Sequence, residues 1–328
     1  MTRRWLWPAL ILLIVTAAIL GVAIGSTSIP ASHVVAAFTG AGDPVERAIL
    51  IELRLPRVIL GLAVGAMLGI GGAALQGYLR NPLAEPSVLG ASNGAALGAV
   101  VALYFGLAQW HEVALPLLAI AGALTALTLL FVLAGRSESA LTLILAGIAV
   151  STLAGAGISL ALNLSPNPFA AMEITTWLLG SLEDRSFKHV MLALPCVAIG
   201  LVLLAGQGRA MDALTLGEDG ATALGINLKA VRIRLLLGIA IGVGGAVAVS
   251  GSIGFVGLIV PHLVRPLTDR SPSAVLWPSA LAGAALLTLA DVAVRVIPAS
   301  NELKLGVVTA FLGVPVFLVH LMRERRLW

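Results

Sequence analysis

Long apolar segments, each followed by a short polar segment, dominate this sequence, and the pattern repeats about every 20 to 35 residues. Hydrophobic residues make up 59% of the chain and charged residues 11%, too little polar surface to cover a soluble fold of 328 residues. The apolar segments approach or exceed the roughly 20 residues that a helix needs to cross a bilayer. They lack the two-residue alternation of barrel strands, and unpaired backbone groups cannot face lipid. We therefore expect an all-α polytopic membrane protein.

Ten segments are candidate spans: residues 5–24, 58–78, 87–106, 113–134, 140–162, 190–205, 231–249, 255–267, 275–296 and 305–322. With the N-terminus in the cytoplasm, most arginines and lysines fall in inner loops, as the positive-inside rule requires. An even number of spans also puts the basic tail, residues 323–326, in the cytoplasm. Residues 1–23 begin like a signal peptide, but the apolar run is long and no cleavage site follows, so we interpret them as a retained helix. The segment with Pro261 is the weakest of the ten.

Two spans resemble each other. Residues 57–65 and 234–242 both read Arg, three apolar residues, Gly, an apolar residue, Ala, an apolar residue and Gly. The two spans are five helices apart, so they cross in opposite directions. That arrangement is typical of the inverted repeats of transport proteins. Chance similarity between Gly- and Ala-rich helices is the alternative.

Three polar segments interrupt the spans. Residues 25–54 and 165–189 are expected outside, the second with a short helix over residues 170–182. Residues 207–228 are expected in the cytoplasm, where their apolar spacing suits two short helices broken at Gly217 and Gly225. An amphipathic element that is not basic favours a protein partner over a solvated loop. Residues 1–328 are expected to form one transmembrane domain, with residues 1–50 as its first helix and outer loop.

No catalytic or metal-binding pattern is present. The dipeptide Gly-Lys never occurs, so the chain has no phosphate-binding loop of that type for ATP. The five histidines are scattered, and no nucleophile is paired with a base. Cys196 lies in an apolar run and is interpreted as a core residue. These observations argue against an enzyme and predict no cofactor and no metal.

Several polar residues lie at the predicted membrane faces. Asp291 is within a span but four residues before Arg295, and such a pair lowers the cost of a charge in lipid. Arg54 and Arg57 flank Pro56 at the outer edge of the second span. These arginines are either interfacial anchors or a basic surface for an acidic partner. The Gly61, Gly65 and Gly69 series suits close helix packing.

The turn over residues 81–86, Asn-Pro-Leu-Ala-Glu-Pro, is expected at the inner face between the second and third spans. Its two prolines and its carboxylate fit two interpretations equally well. It is either a tight turn without further role or part of a gate at the cytoplasmic mouth.

A family resemblance extends from about residue 50 to the end of the chain. It is carried by Arg54-Leu-Pro-Arg57, residues 72–77 (Gly-Ala-Ala-Leu-Gln-Gly), residues 80–90, residues 177–181 (Trp-Leu-Leu-Gly-Ser), residues 214–217, residues 254–262 (Gly-Phe-Val-Gly-Leu-Ile-Val-Pro-His) with Arg265, and Glu302 with residues 306–309. In these motifs the chain resembles the permeases of the iron-siderophore, haem and cobalamin ABC importers, the FecCD-type family.

The resemblance implies a ten-helix subunit that pairs with a second copy of itself around a central path. It also implies two cytoplasmic ATPase subunits and a periplasmic or lipid-anchored substrate-binding protein. The implied docking residues are Arg54, Arg57 and Arg295. The implied ATPase-coupling residues are Leu214, Leu216, Gly217, Glu218, Ala221, Leu224 and Gly225. The implied gate and path residues are Asn81, Pro82, Leu83, Glu85, Thr152 and Ser159.

The chain departs from the family pattern twice, with Ser252 and Lys304 where the family usually has Pro. Lys304 adds a positive charge to the outer face, which would suit an acidic partner or substrate. The motifs do not distinguish a siderophore, haem or cobalamin as substrate. The alternative function is a secondary transporter driven by an ion gradient. Against it stands the absence of a chain of intramembrane carboxylates, since Asp291 is nearly alone.

Overall fold

The computed structural model describes residues 3–39, 42–87, 89–111, 113–135, 140–297 and 302–324. Within these ranges the only regular secondary structure is helical, which confirms the predicted all-α class. Sixteen α-helices follow one another along the described chain: α1 Arg3–Ala23, α2 Ala31–Thr39, α3 Pro44–Ala48, α4 Leu55–Leu79, α5 Ala91–Tyr104, α6 Leu107–Trp110, α7 Ala114–Ala134, α8 Ala140–Asn163, α9 Pro168–Leu178, α10 Phe187–Ala205, α11 Gly208–Leu214, α12 Glu218–Ala223, α13 Leu228–Ser250, α14 Val256–Val264, α15 Pro272–Val296 and α16 Leu305–Glu324.

Each predicted span coincides with one of these helices. Seven helices are long and apolar enough to cross a membrane by length and composition: α1, α4, α7, α8, α10, α13 and α15. The other three, α5, α14 and α16, contain shorter apolar stretches. The nine residues of α14 would rise only about 14 Å at 1.5 Å per residue, less than half of a hydrocarbon core. The count of ten spans is therefore approximate.

Close contact between backbones holds the centre of the bundle together. Helices α4 and α15 form the most extensive helix pair, and Gly61, Gly65 and Gly69 of α4 lie directly against α15. A Cβ atom added at Gly65 or Gly69 would meet the backbone of Gly283 or Ser279, and Gly61 lies against Thr288. The predicted packing role of this glycine series is confirmed. Small residues let helices approach closely in lipid, where the hydrophobic effect cannot draw them together.

The proposed repeat occupies the most buried part of the molecule. Helices α4 and α13 carry the two matching segments, and they are the most buried of the seven long apolar helices. Helix α13 packs against α4, α5, α7 and α10. This shared central position agrees with an inverted repeat, which stays a prediction.

Short helices cover the outer ends of the bundle. The outer segment expected as polar loop contains α2, α3 and a π-helix, Ile49–Arg54, which runs into α4. Ile29, Ala37 and Leu50 form a small core beneath these elements. In the next outer segment, α9 begins after Asn167, whose side chain accepts a hydrogen bond from the Ala170 amide at 2.9 Å. Helix α9 ends earlier than predicted because Gly180 turns the chain with φ +73°.

Candidate functional site

Charged side chains at the outer end of the bundle form one connected network centred on Asp291. This carboxylate is 1% exposed, one turn before the end of α15. Arg57 Nε donates to its two oxygens at 2.9 and 3.0 Å, and Arg295 Nε donates to Oδ2 at 3.0 Å. The predicted i,i+4 pair between Asp291 and Arg295 is confirmed, with Arg57 as a second partner. Two guanidinium partners offset the cost of burying a carboxylate at this end of the bundle.

Glu302 extends the network toward α16. Arg57 Nη1 donates to Glu302 Oε2 at 3.1 Å, and Arg57 Nη2 contacts Oε1. Arg57 therefore bridges two carboxylates, one on α15 and one in the segment that precedes α16. The resemblance included Glu302 only as part of a motif. Its pairing with Arg57 could not be inferred, because 245 residues separate the two in sequence.

Two arginines also hold the C-terminal end of α1. Arg54 Nη1 donates to the carbonyls of Val22 and Ala23 at 2.9 and 2.8 Å, and Nη2 contacts the Thr27 carbonyl. Arg295 Nη1 donates to the carbonyls of Gly21 and Ile24 at 2.8 and 3.2 Å. The last carbonyls of a helix lack partners within the helix and carry partial negative charge, so both cations are well placed there.

The three arginines are therefore engaged within the chain, whereas the sequence left open interfacial anchors or a basic surface for an acidic partner. Arg54 is 5% exposed, and the side chains of Arg57 and Arg295 are 11% and 4% exposed beside their partners. Acceptors of the same chain bind these guanidinium groups: the two carboxylates and the carbonyls at the end of α1. The structure brings Arg54, Arg57 and Arg295 together at the outer end, while their role in docking stays a prediction.

A cavity of about 210 Å³ opens beside this network. Seven charged residues line it: Arg54, Arg57, Arg185, Arg295, Glu183, Asp184 and Glu302. Lys304 donates to Glu183 at 2.7 Å, so the positive charge that distinguishes this chain from its family pattern is paired. Burial lowers the pKa of Arg185, and the carboxylates of Asp184 and Glu183 oppose that shift. Arg185 is not part of any of the sequence motifs.

On the opposite side of the bundle, residues 207–228 form the two predicted short helices. Helix α11 packs on α4 and α15, and the Ser273 amide donates to Asp212 at 2.9 Å. Gly217, with φ +92°, begins α12. Gly225, with φ +80°, lies just after the C-terminal end of α12. There the Ile226 amide donates to the Ala221 carbonyl at 3.1 Å. Positive φ is a conformation that glycine adopts without strain, which explains both predicted breaks.

The same segment exposes apolar side chains at this end of the bundle. Leu216 is 69% exposed and Leu224 is 62% exposed, whereas Leu214 and Ala221 are buried. The two exposed leucines lie just before and just after α12, and Glu218 is in its first turn. Two exposed leucines beside one short helix are typical of a surface that contacts another protein.

The inner turn is compact and internally bonded. Arg80 ends α4 with φ +49°, and the Asn81 side chain accepts from the Leu83 amide at 2.9 Å. Leu83 is 43% exposed at the tip, while Ala84 is buried. The Ser87 hydroxyl donates to Glu85 at 2.5 Å. Leu83, next to Pro82, is therefore the exposed tip of a turn held by its own hydrogen bonds.

Helix α8 lies next to this turn and leaves one face uncovered. Ser151 on α8 donates to the Ser87 carbonyl at 2.9 Å, which ties the helix to the turn. Thr152 and Ser159 are both exposed and seven residues apart, so they lie on one side of the helix. Gly155 lies between them, and a Cβ atom there would contact nothing within 4 Å. Thr152 and Ser159 thus share the uncovered face of α8, while their role in the path and the role of the turn as a gate stay predictions.

Comparisons with known proteins match this architecture over nearly the whole chain. The model of the FecCD transport family matches residues 11–323. The uncharacterized ABC transporter permease protein YvrB of Bacillus subtilis (strain 168) is 42% identical over 321 residues, or 94% of this chain and 90% of that protein. The vitamin B12 import system permease protein BtuC of Vibrio cholerae is 42% identical over 286 residues, or 87% of this chain and 86% of that protein.

A solved structure extends the agreement to the fold. A metal-chelate type ABC transporter in an inward-facing conformation superposes with a TM-score of 0.85 at 30% identity, covering 98% of this chain and 99% of that chain. The family model extends from the first helix to the last and agrees with the motifs found from about residue 50 onward, and this chain belongs to the FecCD transport family.

Proposed function

We propose that this chain is the permease subunit of an ATP-driven importer for a metal chelate of the cobalamin, haem or siderophore class. The observation that carries the proposal is the family match over residues 11–323 on a bundle of apolar helices. The vitamin B12 permease relative and the metal-chelate transporter neighbour support the substrate class. Residues 1–328 would act as one transmembrane domain.

The energy for transport would come from a separate chain. The sequence contains no Gly-Lys dipeptide, so it lacks the phosphate-binding loop with which such ATPases hold ATP. Leu216 and Leu224 provide an apolar contact surface on the cytoplasmic side, and Leu214, Gly217, Glu218, Ala221 and Gly225 frame it. We assign this surface to an ATP-binding cassette subunit, with two such subunits in the complete transporter.

The translocation path would form between two copies of this chain. The uncovered face of α8, with Thr152 and Ser159, would line the path, and the turn Asn81, Pro82, Leu83 and Glu85 would form part of its cytoplasmic gate. A substrate-binding protein would dock on the outer end, near Arg54, Arg57 and Arg295. The assembly would lie in the bacterial cytoplasmic membrane with both termini inside.

Copurification with an ATPase tests the proposal. The permease, carrying an affinity tag, is co-expressed with the ATPase and the substrate-binding protein of the same transport system. We expect an ATPase to copurify, and we expect reconstituted vesicles to take up the chelate only with ATP. Uptake driven by an imposed ion gradient without ATP would favour the alternative function, a secondary transporter.

A further inference from the structure

A buried glutamine near the end of α4 joins this helix to α14. Gln76 is 2% exposed, and its Nε2 atom donates to the carbonyls of Gly257 and Leu258 at 3.4 and 3.2 Å. Its Oε1 atom accepts from Arg265 Nη2 at 3.0 Å. Gln76 is thus bonded both to the first turn of α14 and to the residue that directly follows this helix.

Pro261 explains why α14 takes a donor from another helix. In a regular α-helix the amide of residue 261 would donate to the carbonyl of Gly257, four residues earlier. Proline has no N–H, so this buried carbonyl loses its regular partner within the helix. Gln76 offers its amide to the same carbonyl. The two backbones can come this close because Gly72, one turn before Gln76 on α4, has no side chain, and a Cβ atom there would overlap the Gly257 carbonyl.

The inner turn rests on this junction. Pro86, the last residue of the turn, is buried. A Cβ atom added at Gly257 would lie 3.1 Å from Pro86 Cδ, and one added at Gly71 would lie 3.5 Å from Pro86 Cγ. The turn therefore packs on the backbones of α4 and α14, the two helices that Gln76 connects.

The next residue of α4 contacts the segment that carries α11 and α12. A Cβ atom added at Gly77 would lie 3.3 Å from the sulfur of Met211 on α11 and 3.2 Å from Cβ of Pro272 on α15. The end of α4 thus lies between the inner turn and the segment that we assign to the ATPase contact.

We propose that Gln76 is a positioning residue of the gate: its amide supplies the donor that Pro261 withholds from α14, and it thereby fixes α14 as the support of the inner turn. The inference rests on the proposed function, because it requires the inner turn to act in transport. Gln76 acts through α14 and the turn and does not itself line the path.

The test measures amide hydrogen exchange of residues 81–87 in the permease–ATPase complex in nanodiscs. We expect Gln76→Leu to speed this exchange at least about fivefold, because α14 loses the donor that holds it against α4. Gln76→Glu keeps an acceptor for Arg265 but not the donors, so it should resemble Gln76→Leu. The matched control is Gln207→Leu, which removes a buried glutamine whose amide donates to its own helix at Leu203, and exchange of the turn should stay within about twofold of the wild type.

Pro261→Ala makes the test specific for the missing donor. This change returns an N–H to α14 that can bond to the Gly257 carbonyl. In the Pro261→Ala background, Gln76→Leu should therefore change exchange of the turn by less than about twofold. If Gln76→Leu alone yields no folded protein, we expect the double variant to recover the yield. Equal effects of Gln76→Leu in both backgrounds, or no recovery of yield, would overturn the proposal.

Transport separates a gate from a purely structural junction. Cyanocobalamin, haemin and ferrichrome are offered in parallel, and uptake of the transported probe is divided by the ATP hydrolysed. We expect this ratio to fall at least about fivefold in Gln76→Leu, with normal ATPase copurification, because a loosened turn no longer controls the path. Unchanged exchange in Gln76→Leu, or faster exchange with an unchanged ratio, would contradict the assignment. A wild type that binds no ATPase and takes up none of the probes would instead refute the proposed function.

Discussion

Asp291, Arg57 and Arg295, at the centre of the outer network, are each held by more than one partner. Asp291 binds Arg57 and Arg295, Arg57 also binds Glu302, and Arg295 also caps α1. An isolated charge at the edge of the bilayer would cost several kcal/mol, and shared partners offset that cost. The arginines thereby connect α1, α4, α15 and the segment before α16. They hold the helices of the fold together, whether or not a partner docks on them.

Removing the central carboxylate should therefore destabilise the fold. We expect Asp291→Asn to lower the free energy of unfolding by about 3–5 kcal/mol, because two buried guanidinium groups lose their shared counter-ion. Thermal unfolding of the detergent-purified protein measures the effect. The comparison is Glu302→Gln, which removes a more exposed partner and should cost less. Equal melting temperatures for Asp291→Asn and the wild type would show that the network does not support the fold.

A single methyl group on α4 should also have a large effect. In Gly69→Ala, the new Cβ atom would overlap the backbone carbonyl of Ser279, which cannot rotate away as a side chain can. Overpacking of this kind typically costs about 1–3 kcal/mol. Gly155→Ala on α8 is the matched control: the same change in a helix where a Cβ atom contacts nothing within 4 Å. The monodisperse fraction after heating should fall for Gly69→Ala and stay unchanged for Gly155→Ala. An equal response of both variants would contradict the packing argument.

At the scale of elements, the spans could be predicted because a long apolar run marks seven of them and a shorter one marks the other three. The breaks at Gly217 and Gly225 were also visible, since glycine at positive φ ends helices. Helix α3 was missed although its start has a local signal: the Asp43 side chain accepts from the Val45 amide at 2.7 Å, with Pro44 at the first helical position. The pairs Arg57–Glu302 and Lys304–Glu183 could not be predicted, because only the tertiary packing of distant elements makes them.

The α12 segment should lose its partner when its exposed leucines are charged. We expect Leu216→Glu combined with Leu224→Glu to reduce ATPase copurification at least about tenfold, because an apolar contact would have to bury two carboxylates. Membrane yield should stay normal, since both side chains are exposed. Leu53→Glu, the same change at an exposed leucine on the outer side, is the control and should retain the ATPase. Full ATPase recovery with the double variant would remove α12 from the proposed contact.

At the scale of the whole molecule, the most buried helices and the most exposed surfaces belong to different elements. Helices α4 and α13 are enclosed by their neighbours, whereas α8 keeps Thr152 and Ser159 exposed and the inner turn keeps Leu83 exposed. The Thr152 hydroxyl donates to the Ile148 carbonyl of its own helix at 2.8 Å, so this face can lie against lipid or against another protein. A second copy placed against this side would enclose a path between the two α8 helices.

Crosslinking at the inner turn tests that arrangement. Leu83→Cys in a Cys196→Ala background should form a disulfide between two copies, because the rigid turn would bring the two sites near the two-fold axis on the cytoplasmic side. A disulfide requires Cβ atoms about 3.5–4.5 Å apart, so small gate movements should change its yield. We expect the crosslinked fraction to differ between ATP-bound and nucleotide-free transporter. Val35→Cys, on the outer helix α2, is equally suited to oxidation by its exposure and should not crosslink within the dimer. If Leu83→Cys gives no dimer band in any nucleotide state, the inner turn does not lie at the centre of the assembly.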